Sequence, residues 1–216
     1  MLKTCVSVLI ILLVSSSTMI NGSKTVAEVT SKTILVTGFE PFSSYDVNPS
    51  ALVAESLNNT IVEDTYIIGI ILPVDFEEAV EETLEKVIEV KPCMVLSMGL
   101  SPSAEKIEVE YFAFNLQWDP YSTHPLFSIK PVIPHSPPIH RVTIDVPLTI
   151  SKLREMGIPS KISFSPGFYV CNSLLYSLLD HLDNTSIGFL HLPSLDKLSL
   201  DTLVEAAYTT IEVNLN

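Results

Sequence analysis

From residue 32 onward, short apolar runs alternate with segments whose apolar residues recur at helical spacing. "KTILVTGF" is an apolar run carrying Gly38 near its end, the pattern of a buried parallel strand. "YIIGIIL" (Tyr66–Leu72), "MVLSMGL" (Met94–Leu100), "KISFS" and "SIGFLHLP", which reaches His191, read the same way. Ile107 to Asn115 alternates and predicts a further strand. Between these runs lie helix signals. Asn48-Pro49 supplies an N-cap and a proline at the first helical position. Asp75 with Glu78 resembles a capping box, followed by a stripe of Phe76, Ala79, Val80, Thr83, Leu84, Val87 and Ile88. Thr149–Met156, the leucine stripe Leu174, Leu175, Leu178, Leu179 and Leu182, and Leu200–Glu212 behind Ser199 complete the set. Strand and helix alternate throughout. That order predicts an α/β three-layer sandwich with a mostly parallel twisted sheet flanked by helices. The proline-rich stretch from Gln117 to Arg141 has no period, and loops of that length in compact domains are usually functional or mobile.

The first 22 residues do not fit the alternation. Lys3, the apolar run Cys5–Val14 and the small residues Ser15–Ser17 read as a secretory signal peptide, leaving a single domain over 32–216. This predicts a secreted or extracytoplasmic protein, or a membrane-anchored one if the segment stays uncleaved; the run is short for a bilayer span. The chain of 216 residues has a formal net charge of −13. Such a balance repels phosphate backbones and anionic membranes, which argues against nucleic-acid binding and against a stable membrane partner once the signal is cut. Removal of Cys5 leaves Cys93 and Cys171, too few for a disulfide framework, though an oxidising compartment would permit a bridge between them. Asn58-Asn59-Thr60 and Asn184-Thr185-Ser186 are sequons.

In open α/β sheets functional residues gather at the carboxyl ends of strands. The segments after Gly38 and Gly99, the turn before Cys171, and His191 all fall there. Cys171 stands at a predicted helix N-terminus, where free N–H groups and the helix dipole favour a thiolate and can stabilise an oxyanion. His191 is the natural proton acceptor and Glu110 one option for orienting it. Spacing alone leaves this open, because single cysteines and histidines are commonly core residues. Other candidates have plainer readings. Cys93 reads as a small buried hydrophobe and Asn48 as a helix cap. His181 suits a helix end, and His135 and His140 lack the companions of a metal site. Trp118 reads equally as an exposed loop residue or an interface anchor. Without a glycine-rich phosphate loop, a nucleoside-phosphorylase-like enzyme is the weaker alternative.

Five segments in this order resemble the type I pyroglutamyl peptidases (pyrrolidone-carboxylate peptidases): "ILVTGFEPF", "LPVDFEEA", "MGLSPSAEKIEVEYFAFN", "SFSPGFYVCN" and "GFLHLP". They span Ile34 to Pro193. The resemblance implies a cysteine peptidase that removes an N-terminal pyroglutamyl residue from peptides with a blocked N-terminus. It places the nucleophile on Cys171, the histidine on His191 and the glutamate on Glu110. Phe39, Phe42, Tyr169 and Val170 would bind the lactam. No metal and no organic cofactor is implied, and a homo-oligomer is compatible. The departures are Ser43-Ser44 for two glycines, Glu108 for a Ser or Thr, Tyr111 for a basic residue, and Pro166 for a small residue. "LQWDPYS" also stands where the family has an arginine-containing stretch. These changes keep a second reading in view, a family-derived binding protein with weakened turnover and altered specificity.

Overall fold

The computed structural model describes residues 32–119 and 128–215; the predicted signal segment lies outside the described residues. A seven-stranded sheet runs through the centre in the order β10-β5-β11-β4-β1-β3-β2. These strands are β1 (Thr33–Phe39), β2 (Ile61–Val62), β3 (Thr65–Leu72), β4 (Met94–Leu100), β5 (Ile107–Glu110), β10 (Ser160–Ser163) and β11 (Ser186–Leu192). β3, β1, β4 and β11 are mutually parallel. β5 and β10 run parallel to each other but antiparallel to β11. β1, β4 and β11 are buried over nearly their whole length, which is why they read as unbroken apolar runs rather than alternating ones.

Two helices, α2 (Glu78–Val90) and α4 (Val170–His181), cover one face. The other carries α1 (Pro49–Leu57), α3 (Val146–Glu155) and α5 (Leu200–Glu212). The chain leaves β1 through α1 to β3 on one side, then returns through α2 to β4 on the other. Strand order therefore reverses between β1 and β4, opening a crevice at their carboxyl ends. The core includes the fully buried Tyr176 and Phe189, both on the α4 side of the sheet.

Several helix starts follow the sequence signals. Asn48 Oδ1 accepts from the Ser50 N–H at 3.1 Å, and Ser199 Oγ accepts from the Thr202 N–H at 3.3 Å. Asp75 does not form the expected capping box. Its carboxylate accepts from the N–H groups of Glu77 and Glu78 in a turn, and α2 begins only at Glu78. Ile88, assigned to the buried stripe, is exposed; the face is carried by Ala79, Thr83 and Val87 at i, i+4 and i+8. The α3 helix starts earlier than expected, at Val146, because Asp145 caps it through the Leu148 N–H.

The strand expected over Ile107–Asn115 is two strands. At Tyr111 the chain leaves the main sheet, and β6 (Phe112–Phe114) pairs instead with β9 (Ile139–Arg141). β7 (Gln117–Trp118) and β8 (Ile129–Lys130) form a second small ladder. The proline-rich stretch is thus partly an ordered arm.

Cys93 and Cys171, the two cysteines among the described residues, are free thiols. Cys93 precedes β4 and donates to the Thr33 carbonyl, whereas Cys171 stands over Gly99 near the strand's far end. Six residues of strand separate the two levels, about 20 Å, far beyond the about 7 Å that a disulfide spans between Cα atoms. The bridge considered from the sequence is excluded by this geometry.

Candidate active site

The site is built on one level of the sheet. His191 on β11 pairs in register with Gly99 on β4 and with Glu108 on β5. Opposed residues in a ladder share a face, so these positions point toward α4. A Cβ built on Gly99 would lie 2.8 Å from Cys171 Sγ. Glycine is required there because the thiol occupies the space a side chain would fill. Because β5 runs antiparallel to β11, Glu110 lies two residues deeper than His191, level with Phe189, and it is fully buried.

His191 Nδ1 stands 2.7 Å from Glu110 Oε1, with the histidine 7% exposed. With Nδ1 engaged by Glu110, Nε2 is the ring nitrogen left for Cys171, which raises the proton affinity of the imidazole. Its ring rests against Phe189, centroids 4.9 Å apart. Burial opposes a charged imidazole, but hydrogen bonds and charge from Cys171 and Glu110 outweigh it. The His191 pKa is pushed up to about 10. Glu110 Oε2 is buried and has no partner among the described residues.

Cys171 is the second residue of α4. The preceding turn, Ser165–Tyr169, needs Gly167 at φ +78°. Tyr169 is the N-cap and its carbonyl accepts from Asn172 and Ser173, while the N–H groups of Val170 and Cys171 take no such partner among the described residues. Asn172, which follows the thiol, has a structural task. Its buried amide donates to the Phe114 and Leu116 carbonyls at 2.8 Å each and accepts from the Phe114 N–H at 2.9 Å. It pins the arm to the first turn of α4, and the Trp118 N–H, donating to the Phe168 carbonyl, pins the turn itself.

Beside the thiol and imidazole is a cavity of about 210 Å³. Phe39, Phe42, Tyr169 and Val170 line it, the four residues assigned to substrate binding from the sequence, so the fold brings them together with Cys171 and His191. Val74, Leu100, Pro102 and Pro166 were not singled out as lining residues; the first three follow or end β3 and β4, a rim position that was legible. Asn48 lines the cavity and is engaged as a cap, donating one Nδ2 hydrogen to the Glu40 carbonyl and accepting at Oδ1 from both polar groups of Ser50.

A family model described as pyroglutamyl peptidase matches residues 32–213. The chain belongs to the pyroglutamyl peptidase family. It is 33% identical over 172 residues to a pyrrolidone-carboxylate peptidase of Halalkalibacterium halodurans, covering 77% of this chain and 86% of that one. Pyrrolidone-carboxylate peptidase 1 of Caldanaerobacter subterraneus is 34% identical over 198 residues, covering 83% of this chain and 96% of the relative. The solved pyrrolidone carboxyl peptidase of Thermococcus litoralis superposes with a TM-score of 0.79 at 26% identity, over 85% of this chain and 93% of that one.

Within this pyroglutamyl peptidase family chain the remaining candidates lie elsewhere. His140 bonds Asp180 at 3.0 Å and stacks on Tyr176, away from any metal-like cluster with His135. His181 sits at the end of α4 on the Ser177 carbonyl. Glu108, one of the departures from the family pattern, shares the face of Glu110 but is not an uncompensated charge. Its carboxylate is paired with Lys161 Nζ at 2.8 Å, an ion pair with no signal in sequence because the two residues meet only through β5–β10 pairing.

Proposed function

We propose that this protein is a cysteine peptidase that hydrolyses the bond after an N-terminal pyroglutamyl residue, with Cys171 as nucleophile, His191 as acid and base, and Glu110 as the group that orients the imidazole. The observation that carries the reading is the half-buried Cys171 beside the buried His191–Glu110 pair, opening on an apolar cavity, in a chain of this family. The cavity walls suit a neutral lactam ring, which has no charged amine to solvate. Cys171 gives its proton to His191 Nε2 as Sγ attacks the pyroglutamyl carbonyl carbon, and the oxyanion lies at the free N–H groups of the α4 N-terminus. The imidazolium then gives its Nε2 proton to the departing peptide nitrogen. The C–N bond breaks, leaving a thioester on Cys171. Water attacks the thioester, His191 accepts its proton, and pyroglutamate leaves with the thiol restored. Glu110 accepts the Nδ1 hydrogen bond throughout and keeps Nε2 on the reacting side. Export through the N-terminal segment is part of the same reading and rests on the sequence pattern of residues 1–22. Among the described residues no helix is long and apolar enough to cross a membrane.

A fluorogenic pyroglutamyl amide tests the assignment. Purified wild type and Cys93→Ala should both release fluorophore and be blocked by iodoacetamide, and Cys171→Ala should release none. Turnover by Cys171→Ala would overturn the mechanism.

A further inference from the structure

The same row of the sheet that holds His191 ends, two strands away, in a charge that the reaction scheme does not use. Lys161 on β10 pairs in register with Glu108 on β5, and Glu108 with His191 on β11. Glu108, Glu110 and His191 can bring one ligand atom each within 4.8 Å of one another, a grouping without a counterpart among the described residues. The imidazole Nδ1–H therefore has two carboxylates within reach but can make one well-aligned hydrogen bond. Glu110 takes it at 2.7 Å, yet nothing else ties Glu110 in place, since Oε2 has no partner among the described residues. The ammonium of Lys161, on the strand beyond β5, draws the Glu108 carboxylate to itself, 2.8 Å from Glu108 Oε1.

We propose that Lys161 is a positioning residue: it holds Glu108 off the His191–Glu110 contact, so that Glu110 alone accepts the imidazole proton. The inference rests on the reading that His191 serves Cys171. Fidelity of this hydrogen bond decides where Nε2 points, and a competing acceptor two residues higher on β5 would rotate the ring away from the thiol. Lys161 responds to both carboxylates. Its proton is held more tightly by the Glu108 hydrogen bond and charge, with a lesser contribution from Glu110. The groups that face His191 are Glu108 and Glu110 from β5 and Cys171 from α4, while β4 contributes no charged residue. Arg141 is turned elsewhere, with its guanidinium over the Tyr111 ring. The lysine side chain is 53% exposed on an edge strand, where an ion pair adds little to stability. Its loss should therefore be felt in turnover rather than in folding.

The test is a cycle of Lys161→Met, Glu108→Ser and the double variant, with Lys161→Arg as the conservative control. Lys161→Met should lower kcat about tenfold with KM and melting temperature near wild type, a coupling in the range measured for contacting residues. Removing the competitor should rescue: the double variant should return to within about threefold of wild type, as should Lys161→Arg. Equal kcat for Lys161→Met and wild type, or a double variant as slow as Lys161→Met, would overturn the proposal. A readout independent of turnover separates this from failure of the catalytic reading. In the Cys171→Ala background, the Nδ1–H proton resonance of His191 should shift on Lys161→Met and recover in the double variant. An unmoved resonance would also overturn it.

Discussion

Gly99→Ala probes the closest approach in the site. The added Cβ would stand 2.8 Å from Cys171 Sγ, against the about 3.5–4.0 Å at which nonbonded heavy atoms rest. Relief therefore requires the sulfur to move by about 1 Å, because the alternative, bending β4, disturbs a strand paired on both sides. The next neighbour, Phe189 Cζ at 3.3 Å, needs to give only a few tenths of an ångström. A misplacement of about 1 Å at a reacting atom costs on the order of 100-fold in rate, or about 2.7 kcal/mol of barrier. The accompanying overpacking is worth about 1–3 kcal/mol of stability, partly offset by the better strand propensity of alanine. In a domain of this size that lowers the melting point by about 2–4 °C per kcal/mol, leaving the variant folded at assay temperature. The measurements are kcat and KM on a pyroglutamyl amide, the rate of thiol alkylation by iodoacetamide, and a thermal melt. The expected result is kcat down about 100-fold, slower alkylation and a modest loss of melting temperature. A kcat within threefold of wild type with unchanged alkylation would show that the sulfur does not sit against Gly99, and the geometry argued above would fail.

Asn172→Ala removes all three amide contacts to Phe114 and Leu116 and leaves partly buried backbone groups unpaired, so stability should drop by about 3 kcal/mol or more. Hydrogen exchange over residues 112–118 should accelerate ahead of the rest of the sheet; uniform protection would contradict the clamp. Against the opposing effect of burial, Cys171 and Glu110 push the His191 pKa up to about 10, above its ordinary 6.5. The stabilisation from its proton is therefore fully present below about pH 6.5 and is lost as pH rises toward 10. Urea midpoints should fall across that window and turnover should decline near its upper end. Cys171→Ala, which removes one source of the shift, should move the stability loss to lower pH, and superimposable pH curves would refute the coupling. For the N-terminal segment, mass spectrometry of the native protein should find a chain starting between Thr18 and Lys24, and an intact N-terminus would refute export.

The apolar runs at 33–39, 94–100 and 186–192 named their own strands, because a strand covered on both faces can carry no polar alternation. Asn48 and Ser199 named their helix starts, because a capping side chain bonds N–H groups only two or three residues away. Cys171 at a helix N-terminus and four of the residues lining the cavity beside it were legible for the same reason: motif, turn and strand end are local in the chain. The interactions that make a site of them are not local. His191 and Glu110 are separated by 81 residues, and their 2.7 Å contact exists because β5 enters the sheet backwards beside β11. That direction is decided by where the arm after Tyr111 finds a partner in β9, not by any property of "IEVE" itself. The fit of Cys171 over Gly99 and the neutralising of Glu108 by Lys161 follow from the same register across four strands. Residue types set which groups were available for chemistry; sheet pairing, which is settled by burial of the whole structure at once, decided which of them meet.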